Sequence, residues 1–137
     1  MRHPLHPALV HFPVACWSLA TAADLAALRW GEPAWRFGGI CLLAGVAVAI
    51  PAMLAGFHEL ARLADDSPAT GDVYRHMGAM SAAFVLYAVS LLLRQDHMHL
   101  IAPGTFAVAL SVIGFLCLAV GGWLGGKLVY GHRLGGE

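Results

Sequence analysis

The sequence predicts an all-α fold, namely an integral membrane bundle of four helices with up-down-up-down topology. Of its 137 residues, 59% are hydrophobic and only 12% are charged, whereas a soluble domain carries about 25% charged residues. The apolar residues also fall into four stretches of the length that crosses a hydrocarbon core of ~30 Å as a helix. Short polar loops separate these stretches, so neighbouring helices must run antiparallel.

The first two predicted spans are joined by a tight turn. The first span covers residues 8–28, and the turn that follows it contains Gly31. The second span covers residues 37–58. Trp30 in the turn has the amphipathic aromatic ring that is enriched at membrane–water interfaces, which supports a boundary there.

The last two predicted spans follow the most polar segments of the chain. The third covers residues 76–93, after the polar segment 61–72. The fourth covers residues 105–130 and begins after the turn signal Pro103–Gly104. The four spans account for most of the sequence, and we therefore predict a single four-helix domain over residues 1–137.

Charge and cysteine usage exclude several functions. Eight basic residues balance eight acidic ones, so there is no basic patch of the kind that binds nucleic acid. Cys16, Cys41 and Cys117 lie within apolar runs and form no C-x-x-C or C-x-x-C-H motif, which argues against iron–sulfur ligation and covalent haem attachment.

The distribution of basic residues predicts the orientation in the membrane. Five Lys and Arg residues lie on the side of the two termini, and three lie on the opposite side. By the positive-inside rule, this difference predicts that both termini are cytoplasmic.

Glycines are concentrated in the fourth span. Gly121 and Gly125 form one G-x-x-x-G motif, and Gly122 and Gly126 form a second, overlapping one. Small residues at this spacing let helix backbones approach closely. The pattern predicts tight packing within the bundle, a homodimer through helix four, or a slot for a flat cofactor.

Histidine is the unusual residue of the composition. The eight histidines equal all Lys and Arg together. With four spans, six of them lie on the side of the termini: His3, His6, His11, His58, His76 and His132. His11 stands inside an apolar run, where a polar ring is costly and commonly marks function.

Four of these histidines come from four different helices at similar depth. In an up-down bundle, helices one and three are diagonal, so His11 is predicted to face His76. Helices two and four are diagonal as well, so His58 is predicted to face His132. Two imidazoles from facing helices are what the iron of a b-type haem requires. The preferred ligand pair is His11 with His76, and one or two haems are expected.

Further residues are predicted to line such a cofactor. Met80 and Tyr87 share the face of His76 on helix three, and Gly121 and Gly125 share the face of His132 on helix four. His3 and His6 each precede a proline, which favours extended backbone. They are therefore expected on an N-terminal arm and are second-tier candidates as metal ligands.

Two motifs at the ends of the chain resemble those of a known family. The opening HPLHPALVHFP (residues 3–13), the closing GGWLGGKLVYGH (residues 121–132) and His76 are similar to a bacterial family of predicted four-helix membrane proteins, domain of unknown function 2231. The resemblance covers essentially the whole chain. An acidic residue is more usual in the family near the end of helix two, where this chain has His58.

The resemblance implies a redox role in the bacterial inner (cytoplasmic) membrane. Members of the family resemble, or occur joined to, Rieske-type iron–sulfur and cytochrome modules. A Rieske-type protein or a cytochrome is therefore an expected redox partner, by association alone.

Three hypotheses follow for the function. The first is a small b-type cytochrome that transfers electrons between a membrane quinone, or superoxide, and a redox partner; if the protein is an enzyme, it is an electron-transfer oxidoreductase. The second is a Zn, Cu or Ni site for sensing or transport, which would need His3 or His6 beside His11. The third is a non-catalytic membrane subunit or assembly factor.

Overall fold

Four long helices make up the fold. The computed structural model describes residues 5–62 and 67–132. The elements are α1 (Leu5–Trp30), α2 (Glu32–Leu60), α3 (Thr70–Leu92), β1 (Gln95–Asp96), β2 (His99–Leu100) and α4 (Thr105–Tyr130). All four helices are long and apolar enough to cross a membrane, which confirms the predicted all-α membrane fold.

A single residue separates α1 from α2. Gly31 has φ 65°, in the left-handed region that a residue without a Cβ adopts at no steric cost. Proline follows at the start of α2, where its fixed φ suits the first turn and its missing N–H leaves no hydrogen bond unmade. Gly31 and Pro33 together allow the chain to reverse its direction with a single residue between the two helices.

The helices associate as two hairpins. In the N-terminal hairpin α1 packs along α2, and in the C-terminal hairpin α3 packs along α4. Contacts between the hairpins, from α1 to α4 and from α2 to α3, are much fewer. Helices α1 and α3 are therefore diagonal neighbours, and they run in the same direction.

The buried positions of the two hairpins repeat along the sequence. In α1 and α3 they recur with the spacing of 70 that also separates Asp24 from Arg94. The matching buried pairs are Pro13 and Ala83, Trp17 and Tyr87, Ala20 and Ser90, Thr21 and Leu91, and Asp24 with Arg94, which lies just after the end of α3. In α2 and α4 the matching buried pairs are 69 residues apart: Gly38 and Ala107, Leu42 and Ser111, Gly45 and Gly114, Ala49 and Leu118, Ala52 and Gly121. The hairpins are thus related by an approximate two-fold axis parallel to the helices.

Aromatic residues fill the centre of the bundle on this axis. Trp17 and Tyr87 stack with ring centroids 4.9 Å apart and planes at 16°. Each ring packs on a glycine of its own hairpin: a Cβ at Gly45 would lie 2.6 Å from Trp17, and one at Gly114 would lie 3.2 Å from Tyr87. The glycines leave the space that the two rings occupy.

The outer surface of the bundle is apolar. Large hydrophobic side chains such as Phe12, Leu54 and Leu116 are 62%, 64% and 59% exposed on three different helices. Lipid tails are suitable neighbours for such surfaces, because exposing this apolar area to water is unfavourable. The charged side chains are confined mainly to the helix ends and loops.

Candidate functional site

Two histidines meet across the bundle at the end where α1 begins and α4 ends. His6 is the second residue of α1, and His76 lies in the second turn of α3. Their ring centroids are 6.3 Å apart and the ring planes are at 84°. The two positions are again 70 residues apart, so this histidine pair lies on the two-fold axis.

Each ring of the histidine pair is held by a backbone carbonyl of its own hairpin. Nδ1 of His6 lies 2.8 Å from the oxygen of Ala52, and Nδ1 of His76 lies 2.8 Å from the oxygen of Gly121. A carbonyl oxygen only accepts, so Nδ1 carries the hydrogen and donates it in both rings. The neutral rings therefore keep the lone pair on Nε2, which is the state in which a histidine binds a metal.

Two glycines, each one turn beyond these carbonyls, fix the position of the rings. A Cβ at Gly56 would lie 3.0 Å from Nδ1 and Cε1 of His6, and a Cβ at Gly125 would lie 3.1 Å from Cε1 of His76. Larger residues at either position would push the ring away from its carbonyl. Each hairpin therefore holds its histidine ring in the same way, with a backbone carbonyl and a glycine one turn further along the helix.

An apolar pocket lies beside His6. Its volume is about 40 Å³, and His6, Trp17, Met53 and Met80 contribute to its lining. Pockets for drug-sized ligands are roughly 300–1,000 Å³. The pocket therefore has room for an ion or a very small molecule, and a larger group would have to separate the hairpins.

The structure gives His76 a different partner from the predicted one. His11 is exposed, and His6 faces His76 instead. With 3.6 residues per turn, the five residues from His6 to His11 rotate the side chain by about 140° around the helix. His6 also lies within α1, not on an extended arm, because a proline is tolerated in the first turn of a helix.

The other predicted histidine ligands are at the edge of the bundle. His58 is exposed near the end of α2. His132 follows α4, and its Nε2 lies 3.0 Å from a carboxylate oxygen of Asp72. Asp72 is paired with Lys127 as well, at 2.8 Å, so this cluster ties the beginning of α3 to the end of α4. His3 lies outside the described residues.

The predicted lining residues pack in the interior. Met80 lies beside Gly121, where a Cβ would come within 2.5 Å of its sulfur. Tyr87 is fully buried against Trp17, and Gly125 accommodates His76. The stripe of His76, Met80 and Tyr87 thus faces inward, as its spacing predicts. Side chains of α3 occupy the space beside the inner glycines of α4.

Within residues 5–62 and 67–132, no three His, Cys, Asp or Glu side chains are arranged to hold a metal ion. The site offers two imidazoles, and Met53 and Met80 line the pocket together with His6. Sequence reasoning missed the pairing of His6 with His76. The signal for it was the repeat spacing of 70, which relates His6 to His76 just as it relates Trp17 to Tyr87.

Comparison with known proteins identifies one family. The family model described as "Predicted membrane protein (DUF2231)" matches residues 2–137. No curated protein and no solved structure matches the chain.

Proposed function

We propose, for a chain that belongs to the DUF2231 family of predicted membrane proteins, that His6 and His76 would hold the iron of a b-type haem and that the protein transfers electrons. The observation that carries this proposal is the histidine pair itself. Both rings are anchored through Nδ1, and both come from diagonal helices. The proposal replaces the ligand pair expected from the sequence, His11 with His76.

The separation of the rings supports binding of both imidazoles to one metal. Two metal–imidazole bonds of ~2.0–2.1 Å would place the ring centroids roughly 5–6 Å apart, depending on the angle between the bonds. The observed separation is 6.3 Å. A haem needs only two protein ligands, because the porphyrin supplies the other four nitrogens.

A bound porphyrin would lie at the interface between the hairpins. The histidine pair lies on this interface, one ring from each hairpin, and helix contacts are fewest there. The present pocket of about 40 Å³ is far smaller than a macrocycle. The proposal therefore requires the hairpins to move apart around the histidine pair when haem binds.

The location of the histidine pair favours exchange at the membrane surface. His6 is one residue from the beginning of α1, so the pair lies close to the end of the bundle. Bound there, a haem would supply one-electron chemistry. We propose a membrane quinone, or superoxide, on one side of the reaction and a Rieske-type or cytochrome partner on the other, in a bacterial inner membrane with both termini cytoplasmic.

A copper ion is the second candidate for the same site. Met53 and Met80 line the pocket beside His6, and thioether and imidazole ligands together favour Cu(I) over harder ions. The small pocket also suits a single ion. A zinc site is less well supported, because structural zinc requires four ligands.

The absorption spectrum of the detergent-purified protein from haem-replete cells tests the proposal. We expect a Soret band, with α and β bands after reduction by dithionite. His6→Ala and His76→Ala should each abolish these bands, whereas the exposed controls His11→Ala and His58→Ala should retain them.

Two outcomes would overturn the haem assignment. Colourless protein that contains one equivalent of copper, lost in His6→Ala and His76→Ala, would establish the second candidate. Colourless protein without stoichiometric metal would support a non-catalytic membrane subunit. A third outcome concerns only the ligands: bands that survive both His6→Ala and His76→Ala would show that haem binds but that its ligands are other residues.

A further inference from the structure

A second group of metal-ligating side chains lies at the opposite end of the bundle. The strands β1 and β2 form a β-hairpin in which Gln95 pairs with Leu100 and Asp96 pairs with His99. The turn between the strands consists of His97 and Met98, with φ 45° and 67°. Two consecutive residues in the left-handed region form a type I′ turn, for which Asn-Gly is the preferred sequence.

The β-hairpin is fixed to the helices at its base. The backbone N–H of Ile101 donates to the oxygen of Arg94 at 2.9 Å, and the Arg94 side chain is buried. Leu100 packs against α2, where a Cβ at Gly39 would lie 3.0 Å from it. The tip therefore projects from a well-anchored base, and its residues are not used for packing.

All four residues of the tip carry ligand atoms. Asp96, His97, Met98 and His99 are exposed, and Met98 is 91% exposed. Nδ1 of His97 donates to Oδ1 of Asp96 at 2.7 Å. This carboxylate–histidine hydrogen bond is the usual support of a metal-ligating imidazole, and it leaves Nε2 of His97 free.

We infer that the tip of the β-hairpin is a surface copper site. His97, Met98 and His99 would bind Cu(I) through two imidazoles and one thioether, and Asp96 would orient His97. Imidazole with thioether is a donor set that suits Cu(I). In the structure Asp96, His97 and His99 are not arranged as a three-residue metal site, so binding requires rotation of exposed side chains about the anchored turn.

The sequence of the turn supports a ligand role. His97 and Met98 occupy backbone conformations that Asn and Gly adopt far more readily. A turn selected only for its geometry has no need of an exposed histidine and methionine there. The double variant His97→Asn with Met98→Gly therefore separates the two roles, because it improves the turn and removes two ligands.

Titration with Cu(I), in competition with the chromophoric chelator bicinchoninate, measures the site in the full-length protein. The background is His6→Ala with His76→Ala, so that failure of the haem or copper proposal at the histidine pair does not affect the result. We expect the background protein to bind one Cu(I) that the added turn variant does not bind. Asp96→Ala should weaken this binding about 10–100-fold.

A matched control is His58→Ala, another exposed histidine, which should leave the affinity unchanged. The inference is overturned if the turn variant binds Cu(I) with the same stoichiometry and affinity as its parent. It is also overturned if the parent itself binds no Cu(I) in competition with bicinchoninate.

Discussion

Arg94 forms a bidentate ion pair with Asp24 across the bundle. Its Nη1 and Nη2 donate to the two carboxylate oxygens at 2.7 and 3.0 Å, and Nη2 also donates to Ser90 at 2.8 Å. The two charged side chains are 1% and 0% exposed. Like the histidine pair, they are 70 residues apart, so the ion pair joins the hairpins at the opposite end of the two-fold axis.

We predict that Asp24→Ala destabilises the protein severely. Removal of one partner leaves the Arg94 guanidinium buried without its counter-charge, which costs about 3–5 kcal/mol. The free energy of unfolding in mixed micelles, followed by circular dichroism as dodecyl sulfate is added, measures the loss. The combination of Asp24→Leu with Arg94→Leu should regain most of the stability, since it leaves no unpaired charge.

The control for this prediction is an exposed ion pair. Glu32 and Arg36 are 3.3 Å apart, and both side chains are more than 60% exposed. Glu32→Ala should lower the free energy of unfolding by only about 0.3–0.5 kcal/mol. Equal losses from Asp24→Ala and Glu32→Ala would show that the buried ion pair does not hold the hairpins together.

The fold was predictable because its signal is local. Each span is a continuous apolar run, and Gly31 and Pro103 mark two of the turns. Arg94 lies just outside the predicted span 76–93 and just after α3 in the structure, because a charged residue after an apolar run is typical of the end of a span. Its burial depends on Asp24, which lies in another helix, and no local pattern reports that contact.

The candidate site was predictable only in part. The position of His76 at the end of the bundle where α1 begins followed from the spans, whereas the residue that faces it depends on the rotational phase of α1. That phase places His6 inside and His11 outside. A proline after His6 suggested extended backbone, but tertiary packing extends the helix through it, as a proline in the first turn permits.

We predict that Tyr87→Phe has a moderate effect on stability. The Tyr87 hydroxyl lies 2.8 Å from Oγ1 of Thr21 and 3.3 Å from the oxygen of Trp17. Thr21 keeps a second partner in Ser111 at 3.0 Å, so the loss should be about 0.5–1.5 kcal/mol. The same unfolding measurement applies, with Tyr130→Phe as the exposed control. A loss as large as that of Asp24→Ala would contradict this account.

Two glycine substitutions should change stability in opposite directions. A Cβ at Gly45 would lie 2.6 Å from Trp17, so Gly45→Ala should cost about 1–3 kcal/mol through overpacking. Gly78 lies within α3, with nothing within 4 Å of its Cβ position. Gly78→Ala should therefore stabilise the helix by about 0.5–1 kcal/mol. Thermal unfolding of both variants measures the sign, and a Gly45→Ala protein at least as stable as the parent would refute the packing role of Gly45.

The last prediction concerns the anchors of the histidine pair and depends on ligand binding there. Gly125→Ala should displace the His76 ring, whose Cε1 would lie 3.1 Å from the new methyl group. Loss of the hydrogen bond to Gly121 would then weaken haem or copper binding by about 10–100-fold. Gly126→Ala is the matched control, because nothing lies within 4 Å of its Cβ position. Ligand titration of both variants gives the comparison, and equal affinities would mean that the carbonyl anchor does not position His76.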